Sequence, residues 1–136
     1  MAPAFAQRGG NGLSLCLASA GVVKALSIAT FTLAWTHSIE KTAWQEDWRV
    51  TPKGLVLIEA RVKGSGAGME PGPGARLING WYQWRPEGGP RPTVVLANSG
   101  AAGEWRLCAN GTCRTLSEIF GHPIGASVTT MSSCDP

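Results

Sequence analysis

Phe31, Leu33 and Trp35 alternate with Thr32, Ala34 and Thr36, and this period of two puts the large apolar side chains on one face of an extended segment. His37 and Ser38 continue the two parities. Similar alternation recurs along much of the chain. Leu13, Leu15 and Leu17 share a parity, Ala20-Gly21 supplies a turn, and Val22 to Ile28 returns, which predicts a hairpin ahead of the Phe31 strand. Trp44, Glu46, Trp48 and Val50 form another same-parity set that runs into a Thr51-Pro52-Lys53-Gly54 turn. Beyond it, Val56, Ile58, Ala60 and Val62 are expected on an apolar face, with Glu59, Arg61 and Lys63 on a wet one, as in an antiparallel strand covered on one side. Residues 64–74, with Pro71 and Pro73, break the pattern and read as a loop. Segments 81–84, 93–98, 104–109 and 112–116 complete the predicted strands, and Glu118-Ile119-Phe120 suggests a short helical turn.

These periodicities predict an all-β fold, a single compact antiparallel β-sandwich or barrel of about eight to nine short strands. The β domain is expected over residues 13–120, after a flexible leader at 1–12 and before an irregular tail at 121–136. Composition agrees. The 136 residues allow one domain with a real core, and eighteen glycines and nine prolines favour turns over long helices. The net charge of +3 comes from basic residues scattered along the chain without a run, so nucleic acid is not an expected partner.

Leu13 to Trp35 nearly matches a spanning helix in length and carries one charge, Lys24. A lysine near the middle of such a span costs roughly 2.5 to 3.5 kcal/mol, and Ala20-Gly21 falls where a turn would, so strands are the preferred reading. Ala18-Ser19-Ala20 has the form of a signal cleavage site, but the apolar run before it starts only at Leu13. Leu15 precedes Cys16 where a lipoprotein site needs a small residue. The Cys108-Ala109-Asn110-Gly111-Thr112-Cys113 segment is a hairpin signal, because Asn-Gly supplies the positive φ angles of a type I′ turn. Pairing Ala109 with Thr112 places Cys108 opposite Cys113, about 4.5 Å apart at Cα and within reach of a disulfide. The two are expected to be bridged outside the cytoplasm and reduced within it.

Candidate chemistry concentrates between Phe31 and Trp48. His37 and Ser38 are strand neighbours on opposite faces and cannot act as a base and nucleophile pair. His37 with Glu40, Glu46 and Asp47 offers metal-competent ligands, against the simpler reading of a histidine that ties loop backbone together. Gly64, Ser65, Gly66, Ala67 and Gly68 lack the Gly-Lys-Ser/Thr ending of a phosphate loop, but their free N–H groups can form a nest for a carboxylate beside Lys63 or the His37 to Lys41 segment. The alternative is a tight crossing where glycine avoids clashes. Most of the six tryptophans belong in the core, while Trp44 or Trp84 can line a pocket or partner surface.

From Leu15 through Phe120 the chain resembles a small prokaryotic family known as domain of unknown function eighteen-fifty. The resemblance is carried by FTLAWTHSIEK from Phe31, WQEDW from Trp44, GSGAGMEP from Gly64, Gly80-Trp81-Tyr82 and Trp105-Arg106-Leu107-Cys108. Pro71-Gly72-Pro73 departs from the paired prolines common in that family. The resemblance implies a module encoded beside TRAP-type transporters of the TAXI class, whose receptor and fused permease import carboxylate solutes. It implies no catalytic residue and no cofactor.

The expected function is therefore a non-catalytic accessory that binds the TAXI-type receptor, the permease or the carboxylate solute and meets the membrane only through that partner. The expected binding residues are His37, Ser38, Glu40, Lys41, Glu46 and Asp47, faced by the loop Gly64, Ser65, Gly66, Ala67, Gly68 and Met69. Localisation at the periplasmic face of the inner membrane follows from that association, with a cytoplasmic protein as the alternative. Two rival readings stand beside it: a small hydrolase using His37 with Glu40 or Glu46, and a purely structural role for the whole fingerprint.

Overall fold

The computed structural model describes residues 13–36, 42–63, 71–97 and 104–135, and within them three two-residue turns set the strand register. Ala20-Gly21, Asn79-Gly80 and Asn110-Gly111 all take positive φ, with Asn110 at 54° and Gly111 at 80°. This is the type I′ geometry, whose twist matches that of the flanking strands. The first and third of these turns fall where the chain pattern places them.

A four-stranded sheet contains β1 (Ser14–Ser19), β2 (Val22–Leu26), β8 (Val94–Leu96) and β11 (Thr129–Cys134), in the order β2-β1-β11-β8. A seven-stranded sheet contains β3 (Thr30–Thr36), β4 (Ala43–Thr51), β5 (Gly54–Lys63), β6 (Arg76–Ile78), β7 (Trp81–Trp84), β9 (Arg106–Ala109) and β10 (Thr112–Thr115), in the order β10-β9-β3-β4-β5-β7-β6. Every pairing is antiparallel, and the two sheets pack as a sandwich whose edges stay open. The all-β expectation holds, with more strands than the pattern resolved and a sandwich in place of a closed barrel. Residues 13–35, which approach the length of a spanning helix, form β1, β2 and most of β3. No helix among the described residues is long and apolar enough to cross a membrane.

Leu15, Leu17, Leu96 and Met131 of the smaller sheet meet Phe31, Leu33, Trp48, Val50, Leu55 and Leu107 of the larger, all buried. A fully buried side chain of this size contributes about 1.5 to 3 kcal/mol, so this interface is the main source of stability. The helix α1 (Leu116–Phe120) adds Leu116, Ile119 and Phe120 to the same core. It is one turn held by side chains: Thr115 and Glu118 form a reciprocal capping box, and Glu104 accepts bonds from the Ser117 N–H (2.6 Å) and hydroxyl (2.9 Å).

Two expectations are corrected. The tail at 121–136 is not irregular throughout, since within it Thr129–Cys134 forms β11, inside the smaller sheet between β1 and β8. Its sequence, TTMSSC, has one large apolar residue, and its burial comes from neighbours far away in the chain, so alternation alone could not reveal it. On β5, Val56 and Ile58 do not share a face with Ala60 and Val62. Asp47 pairs with Glu59 but Trp48 pairs with Leu57, so Ile58 is the extra residue of a β-bulge. The inward set becomes Leu55 and Leu57, then Ala60 and Val62.

Gly54 ends the β4–β5 turn at φ 134°, and a Cβ there would collide with the Arg91 carbonyl. That close approach permits the Leu55–Arg91 bridge, with both N–H···O distances at 2.9 Å.

Both cysteine pairs are bridged. Cys108 and Cys113 lie directly opposite each other on β9 and β10, 3.9 Å apart at Cα. Cys16 on β1 joins Cys134 on β11 across 118 residues, a pairing the sequence did not reveal. Two disulfides mark an oxidising, extracytoplasmic location. Chain-entropy arguments assign about 5 kcal/mol to a loop as long as that of Cys16–Cys134 and about 2 to the short hairpin loop. Paired replacement of Cys16 and Cys134 by serine is therefore expected to lower the melting temperature by roughly 10 °C or more, and the same change at Cys108 and Cys113 by less than half of that. Thermal melts followed by circular dichroism check the order, and equal losses would contradict it.

Candidate functional site

β4 carries the densest part of the fingerprint, and its alternation sends two neighbouring carboxylates to opposite sides of the sheet. Trp44, Glu46, Trp48 and Val50 face the smaller sheet, whereas Gln45, Asp47 and Arg49 face away from it. Glu46 therefore sits on the apolar side, in a cross-strand row with Leu33, Ala60 and Trp84. Its two indole neighbours satisfy it. Trp44 Nε1 donates to one carboxylate oxygen at 2.9 Å, and Trp48 Nε1 donates to the other at 3.0 Å. In a strand, residues i−2 and i+2 flank residue i on the same face, so Trp-x-Glu-x-Trp is a spacing that lets one carboxylate serve two indoles.

On the outward side, Asp47 is gripped from both neighbouring strands. Arg61 on β5 donates to its two oxygens at 2.9 and 3.2 Å, and the Thr32 hydroxyl on β3 donates at 2.7 Å. Arg61 also donates through Nε to Gln45 at 2.7 Å and lies 3.5 Å from Glu59. Partial burial pushes the Asp47 carboxyl upward, but the Arg61 bonds, the Thr32 bond and the Arg61 charge outweigh it and hold the group below its ordinary value. Sequence parity already placed Arg61 on the wet side of β5, but its partner followed only from the register.

Glu46 and Asp47 consequently cannot serve one metal ion or one reacting group together, which corrects their place in a shared ligand set. Each already accepts bonds at both oxygens. No group of three or more metal-competent side chains occurs among the described residues. His37, Ser38, Glu40, Lys41, Gly64, Ser65, Gly66, Ala67, Gly68 and Met69 lie outside the described residues. The strands that flank these segments are neighbours, because Thr36 pairs with Ala43 and Ala43 with Lys63. Aromatic rings gather beside those flanks. Trp35 stacks on Trp105 at 6.1 Å, Trp44 meets Trp84 edge-on at 5.5 Å, and Trp105 Nε1 donates to the Ala97 carbonyl at 3.2 Å. Trp44 and Trp84 thus pack against each other, and Trp84 also borders an open groove of about 440 Å³ with Arg76, Gln83 and Arg85. A second groove, about 420 Å³, runs past Thr32, Asp47, Ile58 and the Cys108 hairpin.

These contacts predict distinct responses. Glu46→Ala strips the acceptor from two indole N–H groups and is expected to cost about 2 to 3 kcal/mol, while Glu46→Gln, which keeps one acceptor, costs about 1. Denaturant titration checks both, and an unchanged midpoint for Glu46→Ala would show that the indole bonds contribute nothing. For Asp47, a folded value below the unfolded one means that its contribution is complete above about pH 4 and disappears as pH falls through the folded value. The melting temperature of Asp47→Asn should therefore fall less steeply between about pH 6 and pH 3 than that of the native chain.

No curated protein and no solved structure matches the chain. A family model described as "Domain of unknown function (DUF1850)" matches residues 31–116. The matched span runs from the second residue of β3 to the first of α1 and so contains the indole-bound Glu46, the Arg61 network and the Cys108–Cys113 hairpin. With well over half of its length matched, the chain belongs to the DUF1850 family.

Proposed function

We propose that the protein is a non-catalytic accessory of the cell envelope, working at the periplasmic face of the inner membrane with a TAXI-type TRAP transporter. It binds the receptor, the fused permease or their carboxylate solute. The observation that carries this reading is the use already made of the fingerprint acids: Glu46 is committed to two indoles and Asp47 to Arg61 and Thr32. Their donors would have to be broken before either could act as a base. The paired cysteines support the envelope side of the reading. The pairing of Ala43 with Lys63 supports recognition by residues 37–41 and 64–69, because the first segment precedes β4 and the second follows β5, and these strands are adjacent.

Affinity capture with the tagged full chain tests the proposal. Solubilised envelopes that contain a TAXI-type receptor and permease should yield one of those proteins, and His37→Ala or Lys41→Ala should reduce the yield roughly tenfold without moving the melting temperature. Capture of neither protein would remove the transporter reading. Turnover of a small ester or amide that vanishes in His37→Ala and titrates near pH 6 to 7, about the range of free imidazole, would replace it with a hydrolase.

A further inference from the structure

Register collects charge that the sequence scatters. One outward row crosses all seven strands of the larger sheet through Thr115, Arg106, Ala34, Gln45, Arg61, Gln83 and Arg76. The adjacent outward row on one side adds Lys63, the second row on the other side adds Arg49, and Arg85 lies one residue past β7 beside Glu59 and Gln83. Against these six cations the described residues of the face include two carboxylates, Asp47 and Glu59, both engaged by Arg61. The chain as a whole has twelve basic and nine acidic residues. The described part of this face therefore carries a net +4, against +3 for the whole chain.

Arg49, Lys63, Arg76, Arg85 and Arg106 are exposed and make no ion pair among the described residues. With strands about 4.8 Å apart, Arg106 and Arg76 stand roughly 24 Å from each other, so the cations are spread over a broad face and do not converge on a point. Lys63 lies over the Trp81 ring at 5.8 Å, and exposed Ile78 pairs with Trp81 at the same border. Dispersed cations with a tryptophan and an aliphatic side chain at one margin suit the headgroup region of a bilayer, where negative charge is distributed and indole rings partition.

We infer that the outward face of the seven-stranded sheet docks on an anionic phospholipid surface. This goes beyond the transporter reading, because it requires no protein partner and no residue of the fingerprint loops. Contact turns the opposite sheet, β2-β1-β11-β8, away from the bilayer and sets the molecule's orientation there.

Sedimentation of the full, oxidised chain with lipid vesicles tests this without any transporter. Vesicles of phosphatidylglycerol and phosphatidylcholine in equal parts should bind it at low salt, pure phosphatidylcholine should not, and roughly 0.5 M salt should release it. Each cation removed should weaken binding about fivefold, so R49Q/R76Q/R106Q loses on the order of a hundredfold. K24Q/K53Q/R114Q, with the same loss of net charge at exposed positions off this face, should retain most of the binding. Equal loss in the two triple variants would overturn the inference in favour of net charge alone. Absence of vesicle binding at low salt would overturn it, and salt-sensitive binding to poly-glutamate in that case would assign the face to an acidic protein. Failure of capture from envelopes alongside successful vesicle binding would count against the transporter reading only.

Discussion

A carboxylate on the buried side of a sheet is tolerable only if donors reach it, and the larger sheet is arranged around one such case. Glu46 has Trp44 and Trp48 on its own strand, one residue pair away in each direction, and accepts an indole N–H at each oxygen. The arrangement fixes both rings, and the rings in turn organise their surroundings: Trp48 stacks on Phe31, carries Arg91 over its face, and is among the most deeply buried residues, while Trp44 packs on Trp84. A one-residue slip of β4 would turn Asp47 inward, remove its Arg61 and Thr32 partners, and expose Trp48. Polar and apolar contacts on the two sides of one strand therefore enforce the same register.

The family match covers most of the larger sheet and only one strand of the smaller, β8. The large sheet cannot bury Phe31, Leu33, Trp48 and Leu107 without a second layer. In this chain β1, β2 and β11 complete that layer from outside the matched span, and Cys16–Cys134 ties the first strand to the last. The two disulfides thus do different work: one closes the whole chain on itself, the other staples a hairpin that type I′ geometry already favours. Among the described residues the outward side of the large sheet has no such covering layer, and there the cations assemble.

Sequence alone determined whatever depends on near neighbours. Alternation identified β1 to β4 and β7, Asn110-Gly111 identified its hairpin and with it the Cys108–Cys113 pair, and the order of residues from Phe31 identified the family. Trp-x-Glu-x-Trp likewise placed Glu46 on the tryptophan side, because strand parity is a local property. Tertiary structure decided whatever depends on which strands become neighbours. The bulge at Ile58 reversed the inward set along half of β5, β11 became a strand through partners more than a hundred residues away, and Cys16 found Cys134 only across that pairing. The cross-strand partners of Asp47, and the gathering of scattered arginines on one face, have the same origin: a chain encodes its own pleat, but cross-strand register is settled by burial summed over the whole sandwich.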